Sequence, residues 1–172
     1  MIKIPLVYIA GTGRCGSTIL DMLLGSHPQV FSLGELQTLP WEIELKSKCT
    51  CGKTLTQCPF WGPLIKGNNS LILDGEINKF RQAPGSGSVI RKKYLKAIFT
   101  GNDNYLDQND VATYAKENHK ILKLIFKKAH KFKGGGLEYL VDSSKDLYRL
   151  LLLKQSDLFD IRVIHLYKKP PA

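Results

Sequence analysis

IPLVYIAGTGRCGSTILDMLLG, residues 4–25, decides the fold of this chain. Residues 4–10 form a short apolar, partly β-branched run bounded by glycine, which is typical of a buried strand. Residues 17–25 follow with helical spacing of their apolar side chains, and Gly25 is expected to end the helix. The stripe consists of Ile19, Leu20, Leu23 and Leu24. The order strand, glycine loop, helix predicts the first unit of a parallel sheet.

The rest of the chain continues this alternation. Further strands are predicted at 29–33, 137–141 and 161–167, and further helices at 111–133, ended by a run of three glycines, and at 145–155. An irregular, cysteine-containing insertion covers about residues 40–87, where proline and glycine interrupt every pattern. Strands that alternate with helices predict an α/β fold, a P-loop-like parallel sheet flanked by helices. We expect one domain over residues 1–172.

The composition sets limits on the class of protein. Hydrophobic residues make up 43% of the 172-residue chain and charged residues 23%, which argues against a disordered or fibrous protein. The apolar runs are too short to span a bilayer, and the start does not resemble a signal peptide, so we expect a cytoplasmic protein without a membrane span.

The formal net charge of +10 indicates an anionic partner. Five lysines follow one face of the predicted helix at 111–133, namely Lys116, Lys120, Lys123, Lys127 and Lys131. A solvated face of an amphipathic helix is favoured here over a surface for nucleic acid or membrane, so we expect no specific nucleic-acid partner.

The loop Gly11–Thr18 is the candidate anion site. Its backbone N–H groups and the N-terminus of the following helix converge on one point, as in a phosphate-binding loop. A nucleotide P-loop carries lysine after its second glycine, but this chain has Ser17 there, which disfavours ATP or GTP. Arg14 lies inside the loop instead, where its guanidinium can pair with an oxyanion. The alternative is a simple glycine turn with a solvated Arg14.

Three charged residues are expected at one edge of the sheet. Arg14 follows the first strand, Glu35 the second and Lys145 the third. Ligands bind at the carboxyl ends of the strands in open parallel sheets. A carboxylate and two cations there predict an acid/base site with charge neutralisation. Taken singly, Glu35 is equally expected to cap or pair with a local group, and Lys145 to be an ordinary residue at the start of a helix.

The chain resembles sulfotransferases that use 3′-phosphoadenosine 5′-phosphosulfate (PAPS). The resemblance rests on IAGTGRCGSTILDMLLGSHPQVFSLGE (9–35), CTCGKTLTQCPFW (49–61), and LVDSSKDLYRLLLL (140–153) followed by IRVIHLYK (161–168). The cysteine segment is similar to bacterial-type members, and the segment ending in Gly-Glu is similar to the tyrosylprotein type. The resemblance implies a sulfotransferase fold that is incomplete at its C-terminus.

The resemblance also implies roles for individual residues. The 5′-phosphosulfate would be held by Gly13, Arg14, Cys15, Gly16, Ser17 and Thr18. Glu35 would take the proton from a hydroxyl or amine acceptor, because Leu147 stands where other members carry a histidine base. Arg14 and Lys145 would stabilise charge on the transferring group and the leaving nucleotide, and this scheme needs no metal. The partners implied are PAPS, its product adenosine 3′,5′-bisphosphate, and a small-molecule, sugar or peptide acceptor.

The end of the chain departs from the family pattern. Family members continue with an arginine and a serine that hold the 3′-phosphate of PAPS, whereas this chain ends Lys168-Lys-Pro-Pro-Ala. Lys168 would replace the arginine as a point charge. The alternatives are therefore a catalytically impaired nucleotide-binding fragment or partner subunit and, less favoured, a small P-loop kinase.

The remaining candidates are cysteines, histidines and aromatic residues. Cys49, Cys51 and Cys58 offer three thiols without a fourth ligand at zinc-ribbon spacing, so free or transiently paired thiols are expected, with structural zinc as the alternative. Cys15 is expected to be a small filler rather than a nucleophile. The histidines His27 and His165 are interpreted as structural. Two alternatives stay open for three aromatic residues of the irregular segment: they are expected either to line an acceptor pocket or to form the small core of a lid. These residues are Trp41, Phe60 and Trp61.

Overall fold

The computed structural model describes residues 3–66 and 95–168. In chain order the elements are β1 (Ile4–Gly11), α1 (Ser17–Ser26), β2 (Val30–Ser32), α2 (Leu39–Glu44), α3 (Trp61–Lys66), α4 (Gln108–Phe132), β3 (Tyr139–Lys145), α5 (Leu147–Lys154) and β4 (Phe159–Leu166). Single 3₁₀ turns lie at Leu36–Thr38, Leu55–Gln57 and Asp103–Tyr105, and residues 95–100 are also helical. The part of the predicted insertion from 67 to 87 lies outside the described residues.

The four described strands form one parallel sheet in the order β2-β3-β1-β4. The predicted α/β class with a parallel sheet is confirmed, and the architecture is compatible with a P-loop-like fold. The central strand β1 is buried on both faces, with Leu6, Tyr8 and Ile9 fully covered. The edge strand β4 is more open, because Arg162, Val163 and His165 are exposed.

Helix α4 supplies much of the core. Asp107 caps its N-terminus by accepting hydrogen bonds from the N–H groups of Asn109 and Asp110. Its buried side chains include Ile121, Leu122 and Ile125, whereas the five lysines of the predicted polar face are exposed. All three glycines at 134–136 have positive φ, so the helix ends where the sequence predicts.

Two predicted boundaries are wrong, and both lie where β3 meets α5. The strand predicted at 137–141 runs instead from Tyr139 to Lys145, and α5 begins after it, with Asp146 as the N-cap. Helix α1 ends at Ser26, one residue beyond its predicted end. Its apolar stripe is only partly covered, because Ile19 is 66% and Leu23 65% exposed while Ser17 and Asp21 are buried.

The described part of the insertion contributes to the core. The short helices α2 and α3 lie in it, and Leu55, Phe60 and Trp61 pack with residues of β1 and α4 in one hydrophobic cluster. Trp41 is half exposed. Within the described ranges no helix is both long enough and apolar enough to cross a bilayer.

Candidate active site

The loop between β1 and α1 has the backbone geometry of an anion site. Gly16 is the N-cap of α1 in a left-handed conformation (φ 93°), and no side chain caps the helix. Because the first N–H groups of a helix have no intrahelical partner, they remain available to an anion in front of α1. Arg14 is exposed in the same loop, also with positive φ (61°), and makes no side-chain hydrogen bond or ion pair with the described residues.

Close packing of β4 explains one glycine of this loop. A Cβ atom added to Gly11 would lie 2.7 Å from the carbonyl oxygen of Leu166 and 3.1 Å from the Cys15 sulfur. Gly11 therefore lets the end of β4 approach the start of the loop. Cys15 is buried, in agreement with its interpretation as a filler.

Glu35 and Lys145 meet at the carboxyl edge of the sheet. The Lys145 ammonium group forms an ion pair with a Glu35 carboxylate oxygen, and its Nζ also lies 3.3 Å from the Ser17 hydroxyl oxygen. The Glu35 side chain is 36% exposed and that of Lys145 18%, so both border solvent. One cation thus connects the end of β3, the loop after β2 and the first residue of α1.

Three hydrogen bonds join the segment that contains Glu35 to the end of β3, which carries Lys145. The Ser143 N–H donates to the Gly34 carbonyl oxygen at 2.9 Å. Gln37 donates its backbone N–H to Ser144 Oγ at 3.2 Å and its side-chain amide to the Ser144 carbonyl oxygen at 2.8 Å. Hydrogen bonds from residues on both sides of Glu35 therefore hold its segment against the two residues that precede Lys145.

A buried polar network joins β3, α4 and α5. Arg149, which has no exposed surface, donates from Nε to Asp142 at 2.9 Å and from Nη1 to the Tyr114 hydroxyl at 2.8 Å and the Asn118 side chain at 2.6 Å. Burial alone disfavours the charged guanidinium, but the attraction of Tyr114 and Asp142 raises the pKa of Arg149 overall. Asp142 also accepts hydrogen bonds from the backbone and hydroxyl of Ser144.

A second buried carboxyl group lies on α1. The Ser32 hydroxyl donates to Asp21 Oδ2, whereas Asp21 Oδ1 has no hydrogen-bond partner among the described residues. Burial raises the pKa of Asp21, and the Ser32 hydrogen bond offsets part of this effect. Asp21 is thus held near the site without an ion-pair partner in the described ranges.

A cavity of about 680 Å³ opens beside the ion pair. Its lining includes Thr18, Asp21, Glu35, Phe60, Trp61 and the cysteines Cys49, Cys51 and Cys58. Phe60 and Trp61 belong to the core and also line this cavity, whereas Trp41 is not among its lining residues.

The structure brings together only some of the predicted site residues. Glu35, Lys145 and Ser17 are in contact. Arg14 and Lys168 are exposed near the same edge, in the loop after β1 and just after β4, and make no hydrogen bond with them. His27 accepts a hydrogen bond from the Gln29 N–H, which agrees with a structural role.

Sequence reasoning missed the polar residues that support the site. Asp21 interrupts the apolar pattern of α1, and Arg149 interrupts a leucine-rich helix. Such an isolated polar residue in an apolar pattern is the signal that a buried partner exists, because an unpaired buried charge is strongly destabilising. The identity of the partners, Ser32 for Asp21 and Asp142 for Arg149, depends on contacts between separate elements, α1 with β2 and α5 with β3.

Comparison of the chain with protein-family models, curated proteins and solved structures finds no match.

Proposed function

We propose that this chain is a sulfotransferase that moves a sulfuryl group from PAPS to a hydroxyl or amine acceptor. The observation that carries the proposal is the Lys145 ammonium group, which contacts both Glu35 and Ser17 at the mouth of the uncapped α1 N-terminus. A proton acceptor, a cation and a set of backbone N–H donors are the groups that an in-line transfer between oxygen atoms requires.

The loop in front of α1 is the proposed binding site for the 5′-phosphosulfate. Its helix N-terminus has free N–H donors, and Arg14 is exposed with its guanidinium available for a bidentate contact. Gly13, Cys15, Gly16 and Thr18 supply the rest of this loop. Lys168, exposed just beyond β4, is the proposed contact for the 3′-phosphate.

The mechanism follows from where the charges change. Glu35 accepts the proton of the acceptor hydroxyl or amine as the new bond to sulfur forms. The bond between sulfur and the bridging oxygen of the 5′-phosphate breaks, and the electron pair stays on the leaving adenosine 3′,5′-bisphosphate. Lys145 moves from Glu35 to that bridging oxygen, and Ser17, 3.3 Å from Nζ, lies on the side of the phosphate loop. Arg14 neutralises charge on the transferring group.

The cavity beside Glu35 is the proposed acceptor site. Its volume of about 680 Å³ suits a small molecule, a sugar or a peptide side chain. Phe60 and Trp61 supply an apolar wall, while Glu35 and Asp21 lie among its polar lining residues. An acceptor with an apolar or aromatic body and one reactive hydroxyl or amine fits this lining best.

The test combines nucleotide binding with an activity assay. The parent chain is titrated with adenosine 3′,5′-bisphosphate and with ATP, and transfer from PAPS is then measured on a panel of phenols, sugars and peptides. We expect a preference for the bisphosphate, and transfer that falls about 10²–10³-fold in Glu35→Gln, as for loss of one catalytic contact. Glu44→Gln is the matched control, since Glu44 is an exposed glutamate of α2.

The other outcomes separate the alternatives. Bisphosphate binding without transfer to any acceptor indicates a nucleotide-binding fragment or partner subunit. Preference for ATP indicates a kinase. Absence of binding to either nucleotide, or equal activity of Glu35→Gln and the parent, contradicts the proposal.

A further inference from the structure

The three cysteines of the insertion come together although they lie on different segments. Cys49 and Cys51 lie on a tight hairpin. Lys48 and Thr54 form an isolated antiparallel β-bridge across it, and the Cys49 N–H donates to the Lys53 carbonyl oxygen at 2.8 Å. Cys58 follows the next 3₁₀ turn. The three sulfur atoms all lie within 4.8 Å of one another, and those of Cys49 and Cys58 are 3.5 Å apart.

The three sulfur atoms are close enough for one metal ion to bind them all. Zinc–sulfur bonds of about 2.3 Å in a tetrahedron place the sulfur atoms about 3.8 Å apart. The distance between the sulfur atoms of Cys49 and Cys58, 3.5 Å, differs from this value by a few tenths of an ångström. A disulfide would join only two of the three sulfur atoms, at about 2.05 Å, and would leave the third unused. The convergence of all three therefore favours a metal over a redox pair.

A tight turn shapes the backbone between the first two cysteines. The Gly52 N–H donates to the Cys49 carbonyl oxygen at 2.8 Å. Gly52, with φ 82°, allows the hairpin turn that brings Cys51 towards Cys49.

We propose that Cys49, Cys51 and Cys58 bind one Zn²⁺ ion as three thiolates, with water or another small ligand in the fourth position. Each thiol gives up its proton to solvent as its bond to zinc forms, so binding releases up to three protons and changes no oxidation state. Cys58 is buried and Cys51 exposed, so the ion would lie at the surface, where a solvent ligand can reach it. The proposal is independent of the sulfotransferase assignment.

The site can be tested by cobalt substitution. The full chain, reduced and freed of metal with a chelator, is titrated with Co²⁺ and then with Zn²⁺ under reducing conditions. We expect one Co²⁺ per chain, a near-ultraviolet thiolate-to-cobalt charge-transfer band, the visible bands of tetrahedral cobalt, and displacement of cobalt by zinc. We also expect zinc to raise the melting temperature of the reduced chain.

Cys51→Ser is the deciding variant, because Cys51 is exposed and its substitution leaves the core intact. It should bind cobalt at least 10-fold more weakly than the parent, since even the loss of an outer contact costs about 10–100-fold in affinity. Cys15→Ser is the control and should bind as the parent does; circular dichroism checks that both variants fold. The absence of stoichiometric binding in the parent, or parent-like binding in Cys51→Ser, contradicts the proposal. Recovery of a Cys49–Cys58 disulfide without cobalt binding would assign the cluster to redox chemistry instead.

Discussion

Lys145 forms its ion pair with Glu35 from a left-handed backbone conformation, with φ 61° at the last residue of β3. A non-glycine residue in this region costs about 1–2 kcal/mol. The strain is located where β3 turns away from the sheet edge, and it aims the ammonium group at Glu35 and Ser17. Outliers of this kind concentrate at functional sites.

The first prediction separates this backbone strain from the side-chain contact. Lys145→Ala and Lys145→Gly both remove the ammonium group, but only glycine relieves the strain. We expect Lys145→Gly to be about 1 kcal/mol more stable than Lys145→Ala in denaturant unfolding. Equal stabilities would show that the left-handed conformation carries no cost here.

The second prediction concerns the buried pair of Arg149 and Asp142. Arg149→Met leaves Asp142 charged and buried without its partner, so we expect a loss of about 3–5 kcal/mol in the free energy of unfolding. Lys3→Met is the matched control, because the pair of Lys3 and Asp157 is exposed on both sides, and it should change stability by no more than about 0.5 kcal/mol. The double substitution Asp142→Leu with Arg149→Met should recover part of the loss. A small effect of Arg149→Met alone would argue against this pairing.

The third prediction is a pH dependence that originates from Asp21. Burial raises the folded-state pKa of Asp21 above its unfolded value. The folded chain therefore binds more protons than the unfolded chain between those two values, and the contribution of Asp21 to stability falls as pH rises through that window. Asp21→Asn should remove this loss, stabilising the chain at neutral pH and flattening the dependence. Thermal melts at a series of pH values measure it, with the exposed Asp160→Asn as control; a parallel shift in both variants would exclude Asp21 as the cause.

The fourth prediction compares two glycines of the anion loop. A Cβ atom on either Gly13 or Gly16 meets nothing within 4 Å, but only Gly16 has a left-handed backbone, with φ 93°. Gly16→Ala should therefore destabilise the chain by about 1–2 kcal/mol. Gly13→Ala should leave stability unchanged or raise it by up to about 1 kcal/mol, because it restricts only the unfolded chain. Chemical unfolding of the two variants, measured side by side, tests the difference, and a larger loss in Gly13→Ala would contradict it.

The sheet edge could be predicted from sequence, because local patterns decide it. Apolar runs separated by a glycine loop and helical segments identify parallel strands, and the carboxyl ends of such strands lie together, which brought Glu35 and Lys145 to one place. The extent of β3 could not be predicted. Its second half, residues 142–144, looks like a polar loop, and it can be buried because Arg149 of α5 pairs with Asp142 and Gln37 donates hydrogen bonds to Ser144.

The sequence also did not predict which side of α1 is buried or that the three cysteines lie close together. Helical period identifies a stripe but not which neighbour covers it, so the burial of Asp21 in place of Ile19 depends on the hydrogen bond to Ser32. Cys58 lies close to Cys49 because the chain turns at Leu55–Gln57, and the number of residues between the cysteines does not by itself predict that turn.

The sheet order has a consequence for how the chain is made. The partners of the central strand β1 are β3 and β4, the last two strands in the described sequence, with Ile4 aligned to Phe159 and Leu6 to Leu140. During translation the apolar run 4–10 is synthesised well before either of its partners in the described sheet, which begin at residues 139 and 159. An unpaired apolar strand is open to aggregation. The speed at which the segment from β3 to β4 is made therefore sets how long β1 stays exposed.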